Sequence, residues 1–145
     1  DLRELSRINI DAARESLVDM MCSYKSWTDA EVIVVFDAYR VKGGTQRTEK
    51  YNNIYIVYTG EAESADTYIE RTTYELKRKC RARVVTSDTA EQIIILSNNA
   101  VPVAAATFRK ELDSVIESIR DWMDDYNISE HLNNLNRLKL PDNDI

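Results

Sequence analysis

The stretch RVVTSDTAEQIIIL, residues 83–96, decides how the chain folds. RVVTS has the β-branched signature of a strand, Asp88 closes it, and TAEQIIILSNN reads as a short helix with a polar stop. A strand that ends in an acid and turns at once into a helix is half of a parallel α/β unit. The pattern recurs upstream. EVIVVF (31–36) is a continuous apolar run, as expected for a strand buried on both faces, and Asp37 ends it. NIYIVYT (53–59) reads as a second strand. Ser64 then caps a helix that lines up Ala65, Tyr68, Ile69, Thr72 and Leu76, with Asp66 in its first turn.

The remaining segments fit around these units. Residues 10–27 place Ile10, Ala13, Leu17, Met20, Met21 and Tyr24 on a helical stripe. Residues 38–53 are polar, contain Gly43-Gly44, and read as a loop or loose hairpin. AVPVAA gives a fourth short strand, expected at an edge because Pro102 cannot donate to a ladder. A long amphipathic helix is expected from Thr107, its cap, to about Tyr126, with Phe108, Leu112, Val115, Ile116, Ile119 and Met123 on one face. The expected fold class is therefore α/β, with three layers, a mostly parallel sheet flanked by helices, and a long C-terminal helix. Residues 1–126 form the domain, and residues 127–145 form a helical or flexible tail.

Composition limits the chemistry. The 145 residues carry 43% hydrophobic residues, enough for one sizeable core, and no apolar run is long enough to span a bilayer. DLRELSRINIDAARE lacks the layout of a signal peptide. Cys22 and Cys80 lack metal-ligand spacing and read as free thiols of a reducing cytoplasm. His131, the one histidine, stands in a polar stretch, which argues against a His-based metal site or a Ser-His-Asp triad. The net charge is −6, but the basic residues are clustered. Arg40, Lys42, Arg47 and Lys50 follow Asp37, and KRKCRAR (77–83) reads as a helix C-terminus that complements the helix dipole.

Asp37, Asp66 and Asp88 thus fall on one edge of the expected sheet, where open α/β folds bind ligands. Strands lie about 4.8 Å apart, so carboxylates at neighbouring strand ends repel unless a cation neutralises them. Oxygen-only ligands select a hard ion, Mg2+ or Mn2+, which can activate water and hold a phosphate oxygen. Asp37, Asp66 and Asp88 are the candidate catalytic and metal-binding residues. Glu63 is an outer water-positioning candidate, and Thr86 and Ser87 are placed to orient Asp88. Arg40 and Lys42 are the candidate contacts to a substrate backbone. Taken singly, each aspartate also fits an ordinary turn or cap.

At these residues the chain resembles the YacP-like branch of the NYN domains, relatives of the PIN nucleases. The elements FDA…VKGG, E-x-AD-x-YIE and V-x-TSD-x-x-EQ occur in order, and the resemblance spans most of residues 10–120. It implies a metal-dependent ribonuclease fold in which Asp37, Asp66 and Asp88 match acidic positions. It also implies RNA as partner, which in one bacterial branch is messenger RNA on the ribosome. Two departures stand out. The family opens with a central apolar strand ending in a D-G-Y-N-like motif, whose aspartate joins the site. Nothing like it precedes residue 10, and DLRELSRINI resembles the segment that follows it. RLKL (137–140) is a conceivable substitute strand, and SNNA (97–100) replaces a glycine-rich turn with residues that tolerate left-handed backbone. The alternative reading is a non-catalytic RNA- or ribosome-binding module on the same fold. A small-molecule domain is disfavoured, since no G-x-G-x-x-G or P-loop follows any strand.

Overall fold

Helix α1 spans Leu2–Trp27 and leads into strand β1, Ile33–Phe36, in the computed structural model, which describes residues 2–38 and 42–138. Strands β2 (Arg47–Tyr51) and β3 (Ile54–Tyr58) form a hairpin. Helix α2 (Ala65–Leu76), strand β4 (Arg83–Val85), helix α3 (Thr89–Ser97), strand β5 (Val101–Val103) and helix α4 (Ala105–Leu138) follow. The result is a mixed α/β fold with helices on its sheets and a long C-terminal helix, as the sequence predicts.

The sheet is divided in two. One part has the order β1-β3-β2, with β1 parallel and β2 antiparallel to β3, and the other is the parallel pair β4-β5. Val32, just before β1, and Phe36, its last residue, offer their carbonyls to the amides of Tyr55 and Thr59 on the β3 side. By the alternation of a parallel strand, Ile33 and Val35 point their backbone groups to the other edge. In the second sheet the carbonyl of Ala82 and the amide of Thr86 face β5, so Arg83 and Val85 face away from it. Among the described residues no ladder joins these two outward edges. This corrects one expectation. EVIVVF is not buried on both faces: Ile33 is 45% exposed, and the rest of β1 is half-buried.

Each sheet has its own core. Even-numbered residues of β1 and β3 (Val34, Phe36, Ile54, Ile56, Tyr58) pack with Val18, Met21 and Tyr24 of α1 and with Leu112 of α4. Val84, Ile95 and Ala100 form the second core, joined by Ile69 of α2. Ile54 and Ile95 are fully buried, so truncating either to Ala costs about 2–5 kcal/mol. Two polar links brace this packing, one from β4 to α1 and α4 and one from α3 to α2. The Arg83 guanidinium forks onto Glu111 at 2.8 and 3.1 Å, and the Tyr24 hydroxyl donates to the same carboxylate at 2.9 Å. Across the α2–α3 contact, the Asn98 side-chain amide donates to the Glu70 carbonyl and to Thr73 Oγ1, both at 3.1 Å.

Several local expectations hold and others shift. Ser64 caps α2 by accepting from the Thr67 amide, and Asn99 takes the left-handed backbone (φ 58°) in place of a glycine. Thr107 lies inside α4, which starts at Ala105 and continues as one helix to Leu138. Arg137 and Leu138 are therefore helical and supply no substitute strand within the described residues. Helix α1 begins well before residue 10, and Ile10 (49%) and Leu17 (36%) stay exposed. The basic run after Leu76 follows α2 instead of forming its last turn. Cys22 and Cys80 are free, and no helix of the described residues is long and apolar enough to cross a membrane.

Candidate acidic site

The ends of β1, β3 and β4 present the acids. Asp37 follows β1, and the chain beyond it is clamped by Thr59. The Thr59 amide donates to the Phe36 carbonyl at 3.1 Å, and its buried hydroxyl accepts from the Ala38 amide at 2.9 Å. Asp66 lies exposed in the first turn of α2. Asp88 is the N-cap of α3, with Oδ1 accepting from the Ala90 amide at 2.9 Å and the Glu91 amide at 3.1 Å. That cap satisfies two helix-end donors and fixes the carboxylate at the positive end of the helix.

Glu91 is the residue that the sequence reading overlooked. It is 4% exposed, its Oε2 accepts from the Thr86 hydroxyl at 2.6 Å, and its Oε1 is buried with no hydrogen-bond partner. Burial pushes its pKa up, and the nearby Asp66 and Asp88 carboxylates push it further, against the Thr86 bond that lowers it. Asp66 acts on Glu91 both by its charge and through a side-chain hydrogen bond that favours the protonated form, and no donor faces Oε1 when both groups are charged. The signal was present as D-x-x-E in TSDTAEQ, but that spacing is also a capping box. The structure is not a capping box, because the Asp88 amide donates to Thr86 Oγ1 at 3.2 Å.

The other candidates fall as follows. Thr86 serves Glu91 and the Asp88 amide, and Ser87 Oγ accepts from the Ala105 amide at 3.3 Å, so these hydroxyls brace the strand-helix corner. Glu63 pairs with Arg71 at 3.0 and 3.2 Å, and that bond holds its carboxyl below the usual range. Lys42 is exposed in the turn after β1, while Arg40 lies outside the described residues. The Lys42 turn is tied down from the β3–α2 side. The Gly43 amide donates to Glu61 Oε2 at 2.9 Å, and the Glu61 amide donates to the Gly44 carbonyl at 2.8 Å. Gly60 permits this approach, since a Cβ there would sit 2.8 Å from the Gln46 nitrogen.

The donor set is all oxygen, and it includes a buried carboxylate oxygen without a partner, which is the chemistry of a hard-cation site. The structure brings Asp66, Asp88 and Glu91 into one electrostatic cluster. Asp37 stands at the end of the other sheet. Among the described residues no three carboxylates come within reach of a single ion.

The sequence model of the YacP-like NYN domain matches residues 1–143. The chain is similar to "Uncharacterized protein YacP" of Bacillus subtilis (strain 168), 32% identical over 115 residues, 79% of this chain and 67% of that protein. Its fold is similar to the crystal structure of Rae1 (YacP) from Bacillus subtilis, with a TM-score of 0.70 at 28% identity, over 88% of this chain and 74% of that one. The W164L mutant of Rae1 (YacP) gives 0.65 at 29% identity, over 83% and 72%.

Proposed function

The chain belongs to the YacP-like NYN domain family, in the PIN-like nuclease superfamily, and we propose that it is a metal-dependent RNA endonuclease domain. The observation that carries this reading is Glu91, a buried carboxylate with an unpartnered oxygen, flanked by Asp66 and Asp88. A fold maintains such a group at a cost of about 1–3 kcal/mol unless a ligand answers it.

Asp37, Asp66, Asp88 and Glu91 are the residues that would supply oxygen ligands to Mg2+ or Mn2+, and the ion would have to draw them closer together than they stand here. The ion would supply Lewis acidity and charge neutralisation for phosphodiester hydrolysis. The α3 amides fix the Asp88 carboxylate, so its second oxygen points in a set direction. Thr86 holds one oxygen of Glu91, and Thr59 holds the backbone that follows Asp37. Lys42, held by the Gly43–Glu61 and Gly44–Glu61 bonds, meets the substrate backbone electrostatically. The proposed compartment is a reducing cytoplasm, which suits the two free thiols. The finer reading, messenger RNA engaged by the ribosome, rests on the family resemblance.

Asp88→Asn is the cleanest test, because Asn caps a helix as well as Asp does. Its thermal stability should match the wild type, while Mg2+- or Mn2+-supported cleavage of single-stranded RNA disappears. Asp37→Asn should behave likewise. Co-sedimentation with ribosomes separates ribosome-engaged from free RNA as the target. One observation favours the alternative of a non-catalytic RNA-binding module: no three described carboxylates surround one point. Salt-sensitive RNA binding that ignores metal and both Asp substitutions, with no cleavage, would establish that module instead.

A further inference from the structure

One row of side chains at the carboxyl edge of the first sheet is built from alternating cations and rings. The Arg14 guanidinium of α1 lies over the Phe36 ring at 5.5 Å. Phe36 stacks on Tyr58, with centroids 5.6 Å apart and planes 29° apart. Arg47 covers the far side of the row, 4.4 Å from the Tyr58 centroid. The register explains the alignment, since Phe36 pairs with Tyr58 and Tyr58 with Arg47 on the same face. The row spans α1, β1, β3 and β2, and its Phe36 is the residue immediately before Asp37.

We infer that the Arg14–Phe36–Tyr58–Arg47 row is a contact surface for single-stranded RNA and delivers the strand to Asp37. This rests on the nuclease reading and adds where its substrate lies. Both arginines remain accessible, with side chains 47% and 63% exposed. Their carboxylate partners, Asp11 at 3.5 Å and Glu49 at 3.0 Å, are themselves 70% and 46% exposed, and such surface pairs hold weakly against a phosphate. A guanidinium lying over a ring keeps its outer plane open, and that plane stacks on a nucleobase while its edge bonds phosphate oxygens. Bases turned outward for stacking exist in single strands, not inside a duplex. On a chain of net charge −6, a positive row beside the acidic edge is also the local attraction a polyanion needs to approach carboxylates. Every residue of β2 is exposed, so nothing within the sheet covers that end of the row.

The test measures binding of a fluorescein-labelled single-stranded RNA 12-mer by anisotropy, beside the same sequence as a duplex, and RNA cleavage in parallel. Arg14→Gln/Arg47→Gln should raise the single-strand Kd about tenfold and flatten the slope of log K against log salt by about 1–2. Arg14→Lys/Arg47→Lys keeps the charge but loses the plane, so it should keep the salt slope and still bind about threefold more weakly. The glutamine variant binding and cleaving like the wild type, at unchanged thermal stability, overturns the surface and leaves the nuclease reading standing. Equal loss on duplex and single strand overturns the stacking argument. A wild type that neither binds nor cleaves RNA removes the nuclease reading and this surface with it.

Discussion

Replacing Glu91 with Gln should stabilise the protein at neutral pH and impair the chemistry proposed for it. In the folded state this carboxyl has its pKa raised, first by burial and then by Asp66 and Asp88. A raised carboxyl pKa means the folded state holds the proton more tightly than the unfolded chain, where the value is about 4.3. Stability from this group is therefore greatest below about pH 4.3 and falls as pH rises toward the folded value, beyond which the loss is constant. Gln does not titrate. Its oxygen can take over the 2.6 Å bond from Thr86, and its NH2 then stands where Oε1 has no partner, turned toward the Asp66 charge. Removing an unsatisfied buried acceptor is worth about 1–2 kcal/mol, which shifts a urea midpoint by about 0.5–1 M for a domain of this size.

The assay is urea unfolding at pH 4 and pH 7.5 in the presence of a chelator. The variant should exceed the wild type at pH 7.5 and match it near pH 4. Adding Mn2+ should raise wild-type stability by mass action and raise the variant less, and cleavage should fall. A variant less stable than wild type at pH 7.5, or shifted equally at both pH values, would refute the reasoning. Either outcome would mean that Glu91 is matched to its surroundings without a ligand.

Other substitutions probe the scaffold. Gly60→Ala places a Cβ 2.8 Å from the Gln46 nitrogen and 3.1 Å from the Gly44 carbonyl, both backbone atoms, and should cost about 1–3 kcal/mol in chemical denaturation while loosening the Lys42 turn. Asn99→Val puts a β-branched residue at φ 58° and should cost about 1–2 kcal/mol, whereas Asn99→Gly should stay within about 0.5 kcal/mol of wild type by thermal melting. Glu111 is held below the usual carboxyl range, chiefly by its bonds from Arg83, so its stabilisation is present above about pH 4.3 and fades as pH falls through the folded value. Glu111→Gln should flatten that acid limb and cost only about 0.5–1 kcal/mol at neutral pH, because Arg83 and Glu111 are 46% and 36% exposed.

How much of this was legible in the sequence depended on the kind of signal. Helix starts with a side-chain cap could be read: Ser64 and Asp88 do what their positions suggest. The start of α4 could not, because it opens on Ala105-Ala106 and Thr107 stands within it. Strand β2, RTEKY, has no apolar alternation to announce it. Its five residues are exposed, and it exists through its antiparallel pairing with β3 and through Arg47 on Tyr58 and Lys50 on Tyr55. Glu91 was hidden for a different reason. D-x-x-E after a strand has a common structural meaning, and the two readings are separated by the burial of Oε1 and by the Asp88 amide bonding Thr86 instead of Glu91.

The division of the sheet has consequences for the acids that sequence spacing alone does not carry. Asp37 takes its position from β1 and Thr59, and Asp88 and Glu91 take theirs from β4 and α3. Asp66 belongs to α2, the helix that contacts β1 on one side and α3 on the other. Among the described residues no ladder joins β1 and β4, so the separation of Asp37 from Asp88 depends on side chains and helix packing, among them Arg83 with Glu111 and Tyr24, and Asn98 with Thr73 where α3 meets α2. Such links are softer than a hydrogen-bonded strand, since each is worth about 1 kcal/mol and the first is half in water.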